Sequence, residues 1–337
     1  MPTLYPMRFP KAGLFAGARL PSRVAIALIA LCALAHPAFG QDEPAQPESR
    51  QALDDAWWTG PLLANSAGTL WKGHFLVEPY FYDAIADDGH SLGSLTYILY
   101  GATDKLTVGM IPVFGYNKPR NGPGSTGVGT GDMGILAQYQ LRSYRKAGHG
   151  PDISLQLQEN LPTGRYDRLD DRPGDGFGSG VRSTLLQLNT QSYFWMPSGR
   201  ILRMRANIGE TFSQDATIDG ASVYGTPADF HGTIDPGSAT SISGAWEYSL
   251  TQRWVLALDL AYTHRRSGRI RGTAPFGETG EPTALTIDLA SRDTYGIAPG
   301  IEYNFSPQVG VIFGFRCLNT PGAGDSLTPV VAINYVH

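Results

Sequence analysis

The stretch Ile201-Leu202-Arg203-Met204-Arg205-Ala206-Asn207-Ile208-Gly209-Glu210-Thr211-Phe212 decides how the whole chain is read. Successive side chains of a strand point to opposite faces. Leu202, Met204, Ala206, Ile208 and Phe212 therefore share one face, while Arg203, Arg205 and Asn207 share the other. An arginine turned into lipid at the membrane midplane costs about 2–4 kcal/mol. Two of them orient a membrane strand unambiguously, with the arginines toward a lumen.

Neighbouring stretches sort the same way. Met133, Ile135, Ala137, Tyr139 and Leu141 oppose Asp132, Gly134, Gln138 and Gln140, and Ile153, Leu155 and Leu157 oppose Ser154, Gln156, Gln158 and Asn160. Trp254, Leu256, Leu258, Leu260 and Tyr262 oppose Asp259 and Thr263. Tyr295, Ile297, Ile301, Tyr303 and Phe305 oppose Glu302 and Asn304. A soluble barrel or sandwich would show the same parity with its apolar face buried. Aromatics at the strand ends favour the membrane form, where they make an interfacial girdle.

Twelve such stretches follow one another, beginning near His74–Tyr82. The expected loops are 83–91, 117–131, 162–180, 213–237, 266–292 and 319–327, with an intermediate connection at 142–152. Between them lie turns at 102–104, 197–200, 251–253 and 306–308. Short turns on one rim and long loops on the other mark outer-membrane barrels. The fold expected over residues 73–337 is an all-β, up-and-down antiparallel transmembrane barrel of about 12 strands. Pro79, Pro112, Pro299 and Pro329 fall inside these strands and should mark strand ends or bulges, because a closed barrel has no edge to hide a missing N–H. Glu159 and Glu210 carry lipid-facing parity and should sit at or beyond the interface.

Residues 1–40 read as a signal peptide: Arg8, Lys11, Arg19 and Arg23 precede the apolar run Val24–Leu34, and Ala38-Phe39-Gly40 offers small residues for cleavage. Its removal would leave 297 residues and take the net charge from −4 to −8, since the segment carries four basic and no acidic side chains. No basic face remains to serve nucleic acid, and no mature segment approaches the roughly 18 apolar residues of a membrane helix. Cys317, alone, reads as a small apolar strand residue. Residues 41–72 read as an N-terminal periplasmic extension, packed on the rim, or as a plug entering the lumen. Gln41–Arg50 is a Pro/Glu/Gln-rich lead, followed by Ala56-Trp57-Trp58-Thr59-Gly60-Pro61-Leu62-Leu63-Ala64-Asn65 and Trp71.

Catalytic and metal signatures are weak. Gly129-Thr130-Gly131-Asp132-Met133-Gly134 matches a dinucleotide fingerprint literally but opens a strand, so no helix N-terminus is available for a pyrophosphate. Asp167, Asp170, Asp171 and Asp175, with Arg165, Arg168 and Arg172, lack the ordered ligand spacing of a calcium loop and read as solvated loop charge or a lipopolysaccharide contact. H-E-x-x-H does not occur. His264 is a conceivable member of a rim hydrolase, without an evident serine partner. No enzyme activity, cofactor or metal is expected.

The candidates to line the lumen are Arg203, Arg205, Arg316, Glu78, Asp132, Asp259, Glu302, Tyr80 and Tyr82, with Glu247, Tyr100 and Tyr193 on the same parity. Paired across the interior, the charges fill a narrow barrel; segregated into opposed arcs, they set a field that selects solutes. The closing strand, with Pro329, Val331, Ile333 and Tyr335, resembles the C-terminal signal read by the barrel-assembly machinery, except that His337 stands at its end.

Gly60-Pro61-Leu62-Leu63-Ala64, Glu78-Pro79-Tyr80, Ile111-Pro112-Val113-Phe114-Gly115-Tyr116, Gly131-Asp132, Leu161-Pro162-Thr163-Gly164, Thr328-Pro329 and Asn334-Tyr335 carry a resemblance. Over residues 57–337 the chain resembles outer-membrane transporters related to the phenol meta-pathway degradation (MetA-pathway) family. The resemblance implies an outer-membrane barrel and uptake of small, often aromatic, compounds; it supplies no binding residues. The expected function is a passive channel for small organic solutes, seated in outer-membrane lipid and lipopolysaccharide. The alternative is a structural or surface-interaction barrel with a blocked lumen and ligand-binding extracellular loops.

Overall fold

The computed structural model describes residues 50–276, 281–322 and 324–337. The expected signal peptide and most of the Gln41–Arg50 lead lie outside the described residues. Eighteen strands follow in chain order. They are β1 (Phe75–Ala86), β2 (Gly89–Thr103), β3 (Leu106–Ile111), β4 (Val113–Pro119), β5 (Gly129–Thr130), β6 (Met133–Arg142), β7 (Asp152–Leu161), β8 (Ser183–Trp195) and β9 (Ile201–Ser213). Then come β10 (Ala216–Asp219), β11 (His231–Asp235), β12 (Ala239–Ser249), β13 (Trp254–Arg265), β14 (Gly268–Phe276), β15 (Glu281–Leu289), β16 (Arg292–Asn304), β17 (Val309–Thr320) and β18 (Gly324–Val336).

Fourteen of these form one sheet, which pairing of β1 with both β2 and β18 closes into a barrel. β3 and β4 are two halves of one stave on β2, parted at Pro112, and β5 runs into β6 in the same way. The barrel therefore has twelve antiparallel staves. Pairing of Phe75 with His337, backbone N–H to carbonyl in both directions, brings the ends of the barrel chain together on the short-turn rim.

Parity decides what each face meets. Ile135, Leu155, Leu157, Leu186, Ile208, Leu256, Ile297, Phe313 and Ile333 are exposed on the outside, whereas Gln138, Gln156, Asn189, Arg203, Asp259 and Glu302 are buried inside. A polar interior within an apolar exterior is the pattern of a barrel solvated by lipid. Cross-strand pairs mark two aromatic levels on β13 and β16: Trp254 with Tyr303 at 4.7 Å between ring centroids, and Tyr262 with Tyr295 at 5.3 Å. Eight residues separate Trp254 from Tyr262, roughly 26 Å of strand, comparable with an apolar band about 25 Å tall. Together these features define an outer-membrane β-barrel.

Several connections expected as loops contain strand instead, 213–237 among them through β10 and β11. β1 and β2 continue to a turn at Asp87–Asp88, β17 and β18 extend to Thr320 and from Gly324, and the 266–292 connection contains the β14–β15 hairpin. Beyond the membrane lipid no longer dictates which face is apolar, so the alternation that reveals strands becomes short and broken. β10, β11, β14 and β15 make a separate four-stranded sheet. Val181, Ala216, Ile218, Phe230, Ile234 and Ile270 form its core, with Tyr224 and Leu285 against them.

Pro79, Pro299 and Pro329 lie inside strands, while Pro112 stands at the break between β3 and β4. Pairing of β1 with β18 skips Glu78–Pro79 and resumes at Tyr80, and β16 pairs with β17 at Ile297 and again only at Gly300, skipping Pro299. Pro329 keeps its partner Phe315 on β17 while pairing lapses on the β1 side. Each ring thus places its missing donor at a local gap in one ladder.

The literal Gly129–Gly134 motif is a packing seat. A Cβ added at Gly129 would lie 2.2 Å from the Phe177 ring, and one at Gly131 2.9 Å from Val113. Gly129→Val should therefore cost about 1–3 kcal/mol by overpacking, read as faster proteolytic nicking of the 162–180 loop. Restored protection in Gly129→Val/Phe177→Ala would identify the ring as the cause.

The charged loop is tied down by its own residues. Asp175 accepts the Thr126 backbone N–H at 2.8 Å, which with the Thr126 hydroxyl and nearby arginines holds its carboxyl below the usual range. Asp219 is likewise lowered, first by Arg168, whose Nε donates to it at 2.8 Å, with His231 adding to the effect. A depressed carboxylate contributes stability above its ordinary range and loses it as pH falls through the lowered value. The protection of the Thr126 amide against hydrogen exchange should hold at neutral pH and fall only below the ordinary carboxylate range; protection independent of acid would show that this clamp is not a carboxylate.

Candidate functional site: the barrel interior and the segment that crosses it

The inner wall divides by chemistry. β6 to β9 present an amide lattice, in which Gln138 Nε2 donates to Ser154 Oγ at 2.8 Å, Gln187 Nε2 to Asn189 Oδ1 at 2.7 Å and Asn207 Nδ2 to the same oxygen at 2.7 Å. β9, β12, β13 and β16 present charge. Arg203 Nε donates to Glu247 Oε2 at 2.7 Å and its terminal nitrogen to Oε1, while Arg205 Nε lies 3.0 Å from Oε2. The register accounts for this, because Arg203 lies directly opposite Glu247 and Arg205 is one pair further along the same face. An aromatic and aliphatic quarter completes the wall: Tyr80 sits 6.0 Å from Tyr97, ring to ring, near Ile312 and Ala332.

Residues 51–72 meet this wall at nearly every step. Gln51 and Trp57 donate backbone hydrogen bonds to the rim turns at Gly199 and Gln252. Thr59 N then donates to Glu302 Oε2 at 2.7 Å, and its hydroxyl to Asn304 Oδ1 at 3.0 Å. Asp259 accepts three successive backbone N–H groups, from Leu62 at 2.9 Å, Leu63 at 3.2 Å and Ala64 at 2.9 Å. On the amide side Arg205 donates to Ala64 O at 3.0 Å, Asn207 to Asn65 O at 3.1 Å and Gln138 to Ser66 O at 2.8 Å. Leu70 N reaches Thr107 Oγ1 at 2.8 Å, and a Cβ on Gly101 would collide with Trp71 O. The segment thus touches the wall from β16 around to β3.

Glycines clear its path. A Cβ on Gly310 would lie 2.0 Å from Thr59 Oγ1, and one on Gly314 2.7 Å from Leu62 Cδ1. Trp58 stacks under Arg203, whose guanidinium carbon is 4.3 Å from a ring centroid, a cation–π contact on an already paired arginine.

Each residue expected to face the lumen has a definite place. Arg203, Arg205, Glu78, Asp259 and Glu302 are buried in the interior, and Tyr80 packs against the small apolar cluster there. The arginines do not form an arc opposed to the acids; both pair with Glu247. Glu78 takes a hydrogen bond from Asn334 Nδ2 at 3.3 Å. Arg316 lies opposite Thr328 on β18, away from this cluster, and its Nε has no partner among the described residues. Tyr82 covers Gly93, where a Cβ would lie 2.4 Å from its ring. Asp132 accepts Gly164 N at 3.1 Å and Ser179 N at 2.7 Å and so anchors the loop. Tyr193 faces inward and accepts from Gln191. Tyr100 does not: it is exposed on the outer face, because β2 turns Tyr97 and Leu99 inward.

Glu159 pairs with Arg182 and Glu210 with Arg266, both partners lying just past the strand ends. His264 Nδ1 lies 2.8 Å from Asp293 Oδ1, which also accepts the Tyr262 hydroxyl at 2.9 Å. Among the described residues no serine hydroxyl bonds to that imidazole, and no group of three or more metal-ligating side chains occurs.

No protein-family model matches this chain, and no curated protein matches it. Among solved structures it is similar to an outer membrane channel from Pseudomonas putida F1, with a TM-score of 0.62 and 14% identity, over 82% of this chain and 100% of that one. More distant likenesses are the NanC porin, at TM-score 0.44 and 7% identity over 76% of this chain and 98% of that one, and the CymD monoaromatic hydrocarbon channel, at 0.33 and 11% over 79% and 88%. The Pseudomonas likeness is one of fold: this chain has the architecture of an outer-membrane β-barrel.

Proposed function

We propose that the protein is a passive outer-membrane channel for small organic solutes, and that residues 51–72 are its plug. The observation that carries this reading is how the segment is held. It is bonded to lumen side chains such as Asp259, Glu302, Gln138 and Asn207, and to the rim turns, without adding a strand to the barrel ladder. It can withdraw while every stave stays paired. Aromatic solutes fit the resemblance to MetA-pathway transporters and the Tyr80–Tyr97 quarter of the wall. Arg203, Arg205, Arg316, Glu78, Asp132, Asp259, Glu302, Tyr80 and Tyr82 would then line or gate the path. Lipopolysaccharide contact by the 162–180 loop and insertion by the barrel-assembly machinery belong to the same reading, as does the absence of an enzymatic role.

Liposome swelling with and without residues 41–72 tests it. The shortened chain should admit small sugars and aromatic acids several-fold faster than the full chain. A correctly folded barrel that stays impermeable in both forms would favour the blocked, surface-interaction reading.

A further inference from the structure

We propose that the place occupied by Leu62–Ala64 is a recognition seat for an organic cation with an apolar body, of the arylalkylammonium type, which opens the channel by competing with the segment. This deepens the plugged-channel reading and rests on it. Four buried carboxylates, Glu78, Glu247, Asp259 and Glu302, share the interior with two guanidiniums, those of Arg203 and Arg205. Both guanidiniums lie against Glu247, and Arg205 also donates to Ala64 O of the segment at 3.0 Å. Asp259 is left with the three backbone N–H groups of the segment. Glu302 receives one N–H at Oε2, while its Oε1 is buried without a hydrogen-bond partner.

The segment shows what the seat accepts. Donors converge on Asp259 from Leu62 N, and the Leu62 side chain packs against Ala257, Ile312 and Ala332 beside Tyr80. A donor two or three bonds from an apolar group is the shape of an arylalkylammonium. When the segment withdraws, its amides leave Asp259 and Glu302 without donors, and a buried carboxylate demands charge compensation. An ammonium supplies it, and a ring can take the place of the leucine. An anionic solute meets a poorer situation: the one cationic nitrogen that Ala64 O would leave belongs to Arg205, which already lies against Glu247, and the anion would add a like charge beside Asp259. A bare metal ion lacks a shell of ligands here, since no cluster of metal-ligating side chains occurs among the described residues.

The test uses the full chain in planar bilayers bathed in sodium chloride, with benzylammonium, methylammonium or benzoate added. Benzylammonium should raise the open probability at concentrations about tenfold below those needed for methylammonium, and benzoate should leave it unchanged. Glu302→Gln, which keeps an acceptor for Thr59 N but removes the charge, should weaken the benzylammonium response about tenfold. Opening by benzoate at the same concentrations overturns the seat and leaves the channel standing, as does a methylammonium response equal to that of benzylammonium. A folded barrel that carries no current under any of the three overturns the channel reading and the seat with it.

Discussion

Glu247→Ala should destabilise the barrel by about 3–5 kcal/mol, the cost of leaving buried charge without its partner. Its readout is the denaturant midpoint of the detergent-solubilised protein. Glu247 is wholly buried and is the acceptor for both arginines, so alanine strands Arg203 and Arg205 together. Two like charges would then lie side by side, both buried, with their shared carboxylate gone. Replacing all three by apolar residues of similar volume should recover most of the loss, because a buried ion pair is worth little more than good packing. An unchanged midpoint in Glu247→Ala would mean that the interior is wet enough to solvate both guanidiniums.

Asp259→Ala should leave the barrel folded and shift the segment outward. Three backbone N–H groups converge on that one carboxylate. A hydrogen bond to a charged group contributes about 1.5–3 kcal/mol, and a buried donor left unmade is costly. The segment avoids that cost by moving into water, a route closed to a wall strand. Losing even about 2.8 kcal/mol changes the ratio of withdrawn to seated segment about 100-fold. The variant should therefore conduct like the chain shortened by residues 41–72. Conductance equal to that of the native chain would mean that Glu302, Arg205 and the amide lattice hold the segment without Asp259.

Strand alternation made the barrel legible because lipid imposes a period of two wherever it touches the chain. Ile201–Phe212 was oriented by its arginines alone, and the structure turns Arg203 and Arg205 inward as that argument required. Where lipid ends, legibility ends with it. The extensions of β1, β2, β17 and β18 carry no such lipid-facing period, and in the outer sheet the alternation is short, as at Leu285, Ile287 and Leu289 of β15, which pack on that sheet's own core. The inner charges were legible as inward-facing but not as partners, because parity says nothing about which residue on the next strand stands opposite. Only register sets Arg203 against Glu247. Tyr100 was misplaced for a related reason: β2 has large apolar residues on both faces, so its phase was ambiguous. The glycines that admit the segment, Gly310 and Gly314, had a readable signal in their spacing on the inward parity of β17, but nothing in the sequence tied them to Thr59 and Leu62.

Both ends of the 51–72 segment are moored at the same mouth. Gln51 and Trp57 are fastened to the turns after β8 and β12, and His74 N donates to Trp71 O where the first stave begins. In the proposed channel a withdrawn segment never diffuses away; it stays leashed at a local concentration on the order of millimolar. Reclosure is then a first-order event whose rate is independent of how many barrels share the membrane. Brief, self-terminating openings of single molecules are the kinetic signature of such a leash.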